Sequence, residues 1–253
     1  MARAGHEPEA AVRESAPGCR IVLVPVGSDV PHIRGAGLAT ATGEWVALTE
    51  DHCVADAGWL AAYIEAAGQS VDMLGGAVGN AQRERAIDCA AYFAEYGFFG
   101  ATAAGAGRVP PLITGANVVY HRRVVGDVAS WASRGEWENV IHTRLHDAGR
   151  VIRLVPSARV RQNLRYGIAA FCRDRFEHGR DFAATRARGI TAVRRAVLAA
   201  GTVALPPVLA WRIARLADRG EREQFVRALP MTLLFLAAWS AGEAAGYLKR
   251  TPA

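Results

Sequence analysis

A short segment that carries two acids and a histidine is the strongest chemical signal in the sequence. The stretch LTEDHCVADAGWL, residues 48–60, runs from a predicted apolar strand directly into Glu50, Asp51 and His52, and then into a loop and a helix. Ligands of open α/β sheets bind at the C-terminal ends of strands. Because alternate residues of an extended turn project to one side, Glu50 and His52 can face a common point. A carboxylate and an imidazole there suit a divalent cation, Mn²⁺ or Mg²⁺, that clamps a diphosphate.

The same segment also admits a purely structural interpretation. Acidic turns are common after strands, so Glu50 and Asp51 can form a solvated turn and His52 can cap it. The spacing of these residues leaves both interpretations open.

The segment RGAGLATATGEWVALTEDHC, residues 34–53, resembles part of the family 2 glycosyltransferases, which have the GT-A fold. The family pattern reads R-N-x-G-x-x-x-A-x-G-E, an apolar strand, and then D-x-D. The positions that match it are Arg34, Gly37, Ala41, Gly43 and Glu44. Glu50 and His52 stand in place of the two metal-facing aspartates, and Gly35 stands where Asn is usual. The resemblance implies a divalent cation at Glu50 and His52, and a nucleotide-sugar donor contacted by Arg34 and Asp51.

Two later segments resemble the same family in the same order. ITGANVVYHRRVV, residues 113–125, is similar to the acceptor-side pattern T-G-x-N-x-x-x-x-R, which implies that Gly115 and Asn117 line the acceptor side. Residues 135–160 resemble the stretch that carries the catalytic base, with Glu138 at the acidic position and Trp137 in place of its acidic neighbour. The further matches are Thr114, Arg122, Arg144, Leu145, Gly149, Ile152 and Pro156.

Glu138 therefore has two interpretations. By the resemblance, it takes a proton from an acceptor hydroxyl as that hydroxyl attacks the anomeric carbon of the sugar, with inversion. By its position alone, it is an acid near a helix N-terminus, where the helix dipole favours a negative charge.

The elements that must position these residues alternate between strand and helix, which predicts an α/β fold. The resemblance makes this a GT-A-like, Rossmann-like mixed sheet flanked by helices. The predicted strands are 19–27, 44–50, 71–79, 112–120 and 150–156, and the predicted helices are 34–43, 59–67, 84–99, 122–128 and 137–148. Asp56 is the expected cap of the helix at 59–67, whose apolar face comprises Trp59, Leu60, Tyr63, Ile64 and Ala67. A Gly/Ala-rich loop is predicted at 100–111.

The C-terminal third differs in character. Residues 159–195 contain ten arginines and three acids, and two apolar stretches follow at 197–211 and 229–248. These stretches are either buried helices or an α-helical extension that associates with the membrane. The arginines favour the second interpretation, because such flanks suit anionic headgroups. The expected location is the cytoplasmic face of a bacterial-type cell membrane, with the protein peripheral or anchored.

Three regions are expected along the chain. These are a disordered polar lead at 1–18, a GT-A-like domain at 19–160 and the membrane-associating helices at 161–253. Relative to the family, the strand, helix and strand that form most of the nucleotide pocket are missing before residue 19. The expectation is a truncated chain, a site completed by a partner protein, or a transferase-like scaffold that has lost activity.

Composition and motifs exclude several other classes. The 253 residues are 51% apolar, which excludes global disorder, and the net charge of +6 comes almost entirely from arginine. The cysteines lack the spacing of a disulfide framework or a structural zinc site, and no secretory signal is expected from the polar residues 1–18. Dinucleotide and Walker A patterns are absent, and nucleic acid is not an expected partner. His142 and His146 are spaced i,i+4 on one predicted helix, but the glutamate of the HExxH zinc motif is absent. The pair is therefore interpreted as part of an ordinary polar helix face.

The expected partners are a nucleotide-sugar, a saccharide or lipid-linked acceptor, and the membrane surface.

Overall fold

The computed structural model describes residues 7–101, 112–187 and 189–249. The chain divides into two compact units. The first comprises Met1–Ala77 and Gly107–Val160, and the second comprises Val78–Ala106 and Arg161–Ala253. The division therefore groups residues 78–106 with the C-terminal helices, although they fall inside the 19–160 domain expected from the sequence. The predicted Gly/Ala-rich loop lies outside the described residues from residue 102 onwards.

Helices and strands alternate along the first two thirds of the described chain, as predicted, and the last third is helical. In chain order the elements are α1 (Glu7–Ser15), α2 (Val30–Thr40), β1 (Trp45–Thr49), β2 (Cys53–Ala55), α3 (Trp59–Ala66), β3 (Met73–Asn80), α4 (Ala86–Tyr96), β4 (Asn117–His121), α5 (Arg122–Ala132), α6 (Glu138–Asp147), β5 (Ile152–Gln162), α7 (Ile168–Arg186), α8 (Ala192–Gly201), a 3₁₀ turn (Thr202–Ala204), α9 (Leu205–Leu216) and α10 (Arg219–Leu248).

The strands form a mixed sheet in the order β1-β4-β3-β5-β2 within the described residues. β4 is antiparallel to both of its neighbours, with Asn117 opposite Thr49 of β1 and Tyr120 opposite Met73 of β3. β3 and β5 run in the same direction, because backbone hydrogen bonds join their first ends to each other and their last ends to each other. The α/β class with a mixed sheet is therefore confirmed.

Both faces of the sheet are covered in the first unit. Alternate residues of a strand point to opposite faces, and β4 places Val118 and Tyr120 on one side and Val119 on the other. The first side packs against residues of α2, α5 and α6 such as Leu38, and the second side packs against Tyr63 of α3. This layering holds the ends of β1 and β4 and the start of α6 in fixed positions, and the candidate site lies at those points.

The second unit is built on a close crossing of α7 and α10. A Cβ atom added at Gly242 would lie 1.9 Å from the carbonyl oxygen of Phe176, and one added at Gly246 would lie 2.3 Å from that of Arg180. The two backbones are therefore in direct contact, which only glycine permits at these positions. Glu243 lies between the two glycines in α10, is 5% exposed and accepts a hydrogen bond from Tyr247.

Two described helical stretches are long and apolar enough to cross a bilayer, judged by length and composition alone. They are Ala192–Leu216, which combines α8, the 3₁₀ turn and α9, and Arg219–Leu248, which is α10. Pro206 and Pro207 lie in the first turn of α9, where proline is tolerated because the N–H groups there have no partner within the helix.

Residues Glu7–Ser15, in the polar lead, form helix α1. Two local predictions are wrong. Residues 19–27 form no strand, and Leu23 is 78% exposed. An apolar run becomes a strand only where its backbone has a neighbouring strand to pair with. The N-cap of α3 is Gly58 without a side-chain hydrogen bond, so Asp56 does not cap that helix.

Two other predictions need correction in detail. The apolar face of α3 is divided, since Tyr63 is buried whereas Leu60 and Ile64 are 60% and 66% exposed. β5 continues past Pro156 to Gln162 instead of ending at the proline. A strand accepts proline wherever the ring nitrogen has no ladder hydrogen bond to donate.

Candidate functional site

Arg34 joins three parts of the chain that are far apart in sequence. Its Nη2 donates to Oε1 of Glu50 at 2.6 Å, and its Nη1 donates to Oε2 of Glu138 at 2.8 Å. The Arg34 side chain is 12% exposed, and the two carboxylates are 24% and 23% exposed. Helix α2 supplies the guanidinium, the end of β1 supplies Glu50, and the first residue of α6 supplies Glu138. One cation thus compensates two partly buried anions.

The backbone of Gly115 lies directly against the guanidinium of Arg34. Its N–H donates to Oε1 of Glu138 at 3.4 Å. A Cβ atom at this position would lie 2.4 Å from Nη1 of Arg34 and 2.5 Å from Cζ. The guanidinium therefore rests against bare backbone, and any larger residue at position 115 would displace it.

A tight turn after β1 gathers the remaining polar groups. The N–H of Cys53 donates to the carbonyl of Glu50 at 3.0 Å and closes the turn. Nε2 of His52 lies 3.3 Å from Oε2 of Glu50, and Nδ1 lies 3.2 Å from Oδ1 of Asp51. The prediction that Glu50 and His52 face a common point is confirmed. The Asp51 side chain is 60% exposed, at the solvent side of the turn.

Cys53 joins this group, although the sequence reasoning did not include it. One ligand atom each from Glu50, His52 and Cys53 lie within 4.8 Å of one another, and all three residues are half-buried. The only signal in the sequence was the adjacency of Cys53 to His52. Zn²⁺ accepts oxygen, nitrogen and sulfur donors together, whereas Mg²⁺ prefers oxygen ligands. If all three residues ligate one ion, the donor set suits a borderline ion such as Zn²⁺ better than the expected Mn²⁺ or Mg²⁺.

A buried tyrosine–histidine pair lies behind Glu138 and was also missed. The Tyr120 hydroxyl is 2.7 Å from Nε2 of His142, one turn along α6 from Glu138. Burial lowers the pKa of His142 to about 4, and the charge of Glu138 and a backbone hydrogen bond with Ile113 offset part of this effect. Burial likewise raises the pKa of Tyr120. His142 is thus neutral at pH 7 and, at 3% exposed, does not belong to a polar helix face.

Asn117 has a structural role in place of the expected contact with an acceptor. Its Nδ2 donates to the carbonyls of Ala77 and Ala158, each at 2.8 Å. Its Oδ1 accepts from Nε1 of Trp59 at 2.9 Å and from the hydroxyl of Tyr63 at 2.8 Å. Two donors and two acceptor positions are the full capacity of a primary amide. The side chain is 0% exposed, so no group remains for an acceptor.

Five of the seven residues predicted for the site meet in the first unit: Arg34, Glu50, His52, Gly115 and Glu138. A second junction joins the same segments, because the guanidinium of Arg122 donates twice to the carbonyl of Gly43, at 2.9 and 2.6 Å. No family model matches the chain, and no curated protein gives a significant match.

Proposed function

We propose that the chain is an inverting glycosyltransferase that transfers a sugar from a nucleotide-diphosphate donor, with a GT-A-like arrangement of its α/β unit. One observation carries this proposal. The three segments that resemble family 2 glycosyltransferases are separate in sequence, and Arg34 is 104 positions from Glu138, yet they converge on Arg34 through Glu50, Gly115 and Glu138. Convergence of this kind is what a single site requires and what unrelated chance matches have no reason to produce.

Glu138 is the proposed catalytic base. The acceptor oxygen attacks the anomeric carbon, its proton passes to a carboxylate oxygen of Glu138, and the bond from the anomeric carbon to the diphosphate oxygen breaks. Each carboxylate oxygen has two acceptor positions, so the bonds from Arg34 and Gly115 leave positions for a hydroxyl. At 23% exposed, Glu138 is open to a substrate.

Arg34 is the proposed contact for the donor diphosphate. A guanidinium presents a rigid set of donors that matches phosphate oxygens, and here Glu50 and Glu138 already hold it in one orientation. Asp51, on the exposed side of the turn, is the second residue proposed to contact the donor. Glu50, His52 and Cys53 would hold a divalent cation, which when bound supplies positive charge to the diphosphate leaving group.

The proposed acceptor is a saccharide or a lipid-linked phosphate at the cytoplasmic face of the cell membrane. This part rests on the two long apolar helices and on the arginine-rich sequence before them. Arginine side chains recognise phosphate and anionic headgroups.

The Glu138→Gln variant tests the assignment of the base. The amide keeps the size of the side chain but cannot accept a proton, so sugar transfer from UDP-, GDP- or TDP-sugars should fall by at least about a hundredfold. Calorimetric binding of UDP, GDP or TDP should stay within a few-fold of that of the unchanged protein. Asp147→Asn, at the other end of α6 with a 70% exposed side chain, is the matched control and should keep full activity.

A scaffold without catalytic activity is the second candidate function. This function is favoured by the ion pairs that Arg34 forms with both Glu50 and Glu138, because these ion pairs stabilise the fold without a substrate. Nucleotide binding separates the two functions. If UDP, GDP and TDP all fail to bind, with and without Mn²⁺ or Zn²⁺, the scaffold stands. Turnover that is unaltered in Glu138→Gln would refute the proposed base.

A further inference from the structure

The stretch Ala192–Leu216 has one side that packs against protein and one that does not. The 3₁₀ turn links α8 and α9 into an almost continuous helix, and each part packs against α10. Ala199, Thr202 and Ala210 on this inner side are between 4% and 8% exposed, and Ile213 is fully buried. The inner side therefore belongs to the core of the second unit.

The outer side is a continuous apolar stripe. Its large residues are Val193, Val197, Val203, Val208 and Trp211, which are 75%, 66%, 82%, 47% and 59% exposed. Val193, Val197, Val208 and Trp211 are separated by 4, 11 and 3 residues, which places them on one face of a helix, and Val203 lies in the 3₁₀ turn between them. From position 196 to position 211, every exposed residue is alanine, glycine, proline, valine or tryptophan. We name this face, defined by the five large residues, the valine stripe.

The charges within Ala192–Leu216 are all of one sign. Residues 192–216 contain Arg194, Arg195, Arg212 and Arg215 and no acid. Two of the arginines are near each end of the helix, and Cζ of Arg215 lies 4.7 Å from the centre of the Trp211 ring. The stripe thus ends in positive charge on both sides, with an aromatic ring at one of them.

This combination fits an anionic lipid surface. An amphipathic helix that lies in the plane of a bilayer buries its apolar side at the boundary between acyl chains and headgroups, while arginines reach lipid phosphates and tryptophan stays at the interface. The span from Val193 to Trp211 is about 27 Å at 1.5 Å per residue, long enough for arginines at its two ends to contact separate headgroups.

A second copy of the chain fits the same surface poorly. In a symmetric pairing the stripe would meet its own image, so Arg194 would approach either the partner's Arg194 or its Arg212 and Arg215. Residues 192–216 supply no acid to compensate either arrangement. Like charges would then oppose the contact that the apolar residues favour.

Helix α10, although equally apolar, is engaged within the protein. In the most apolar 18-residue stretch of α10, 39% is buried. The corresponding share for Ala192–Leu216 is 22%. The backbone of α10 contacts α7 at Gly242 and Gly246, and the one charge in the apolar stretch of α10, Glu243, accepts hydrogen bonds from Trp239 and Tyr247. These contacts hold α10 against other helices of the second unit.

We propose that Ala192–Leu216 lies flat on an anionic bilayer, inserts the valine stripe to the acyl boundary, and is the membrane-binding surface of the chain. The surface acts as a monotopic anchor and does not span the bilayer. The inference is independent of the proposed transferase activity, because it concerns only where the chain is held.

Flotation of the full chain with vesicles tests the proposal. The protein should float with phosphatidylcholine vesicles that contain phosphatidylglycerol and much less with phosphatidylcholine alone. Val203→Asp should reduce partitioning about tenfold or more, because it removes an apolar side chain that the bilayer would bury and places a charge at the acyl boundary. Val226→Asp, an exposed valine of α10 at 69%, is the matched control and should float normally.

Two further measurements cover the case in which Val203→Asp does not fold. Brominated phospholipids should quench a fraction of the tryptophan fluorescence of the unchanged protein, and that fraction should disappear in Trp211→Phe. From cell membranes, alkaline extraction should release the protein, since a helix in the surface is not held as a spanning helix is.

Four outcomes would overturn the proposal. These are no flotation with anionic vesicles, equal losses for Val203→Asp and Val226→Asp, retention of the protein after alkaline extraction, and a dimer in solution that Val203→Asp dissociates. The last outcome would assign the stripe to a second copy, and retention would mean that the helix spans the bilayer.

Discussion

Lowering the pH should destabilise the first unit through His142. The buried imidazole has a pKa of about 4 in the folded protein, whereas a histidine in an unfolded chain has a pKa near 6.5. Between these values the unfolded chain binds a proton that the folded chain excludes, so the free energy of unfolding falls as the pH falls. At about 1.4 kcal/mol for each pH unit between the two pKa values, the loss amounts to about 3 kcal/mol.

Urea unfolding at a series of pH values from about 8 to about 4 measures this loss. The contribution of His142 is fully present above pH about 6.5 and is lost as the pH falls towards about 4. His142→Gln removes the titrating group and keeps a polar partner for Tyr120, so the variant should lose about 3 kcal/mol less than the unchanged protein over this range. His146→Gln, on the same helix with a 37% exposed side chain, should follow the unchanged protein.

The pH dependence, and not the stability at one pH, is the decisive quantity. His142→Gln will lower the stability at neutral pH, because the hydrogen bond with Tyr120 is rebuilt imperfectly. If its curve runs parallel to that of the unchanged protein, His142 takes up its proton in both states alike. The argument from burial would then be wrong.

The two remaining predictions also have matched controls. Gly115→Ala should displace the guanidinium of Arg34 and lower the free energy of unfolding by about 1–3 kcal/mol, whereas Gly126→Ala, which has open space around it inside α5, should raise it by up to about 1 kcal/mol in urea unfolding. A Gly115→Ala variant as stable as the unchanged protein would show that the arginine does not rest there. Asn117→Ala should lose at least about 3 kcal/mol, because it removes four hydrogen bonds made with buried or partly buried groups, and the exposed Asn139→Ala should change stability by less than about 0.5 kcal/mol. Comparable small losses for both asparagines would refute the structural role of Asn117 and return it to the acceptor-side role first expected of it.

The sequence predicts the order of strands and helices well where local pattern decides the structure. β1 and the following turn lie where the apolar run and the acids of residues 44–52 place them, and α6 begins at Glu138 within one residue of the prediction. The apolar pattern cannot say whether a partner strand exists, and so the run at 19–27 is misread as a strand. Pattern also cannot choose between Tyr63 and Ile64 as the inward residue of α3, because both lie on its apolar side.

The sequence suggested the residues of the candidate site, but it did not predict the ion pairs and hydrogen bonds between them. The pairing of Arg34 with Glu138 joins residues 104 positions apart, and no local rule links them. Asn117 illustrates the opposite error. Its position in a motif suggested a contact with a ligand. In the structure its amide instead donates hydrogen bonds to backbone carbonyls and accepts one from the hydroxyl of Tyr63. Polar residue types indicate chemistry only after their hydrogen bonds within the protein are counted.

The sharing of Arg34 between Glu50 and Glu138 has a consequence for the order of events in the proposed reaction. An anionic donor that draws the guanidinium towards itself weakens both ion pairs together, since one cation serves both carboxylates. Glu138 would then lose its compensating charge at the moment when the donor is seated. Coupling of this kind is reciprocal, so the ion pair between Arg34 and Glu138 must in turn affect the affinity for the donor. The arrangement favours an ordered sequence in which the donor binds first and the acceptor second.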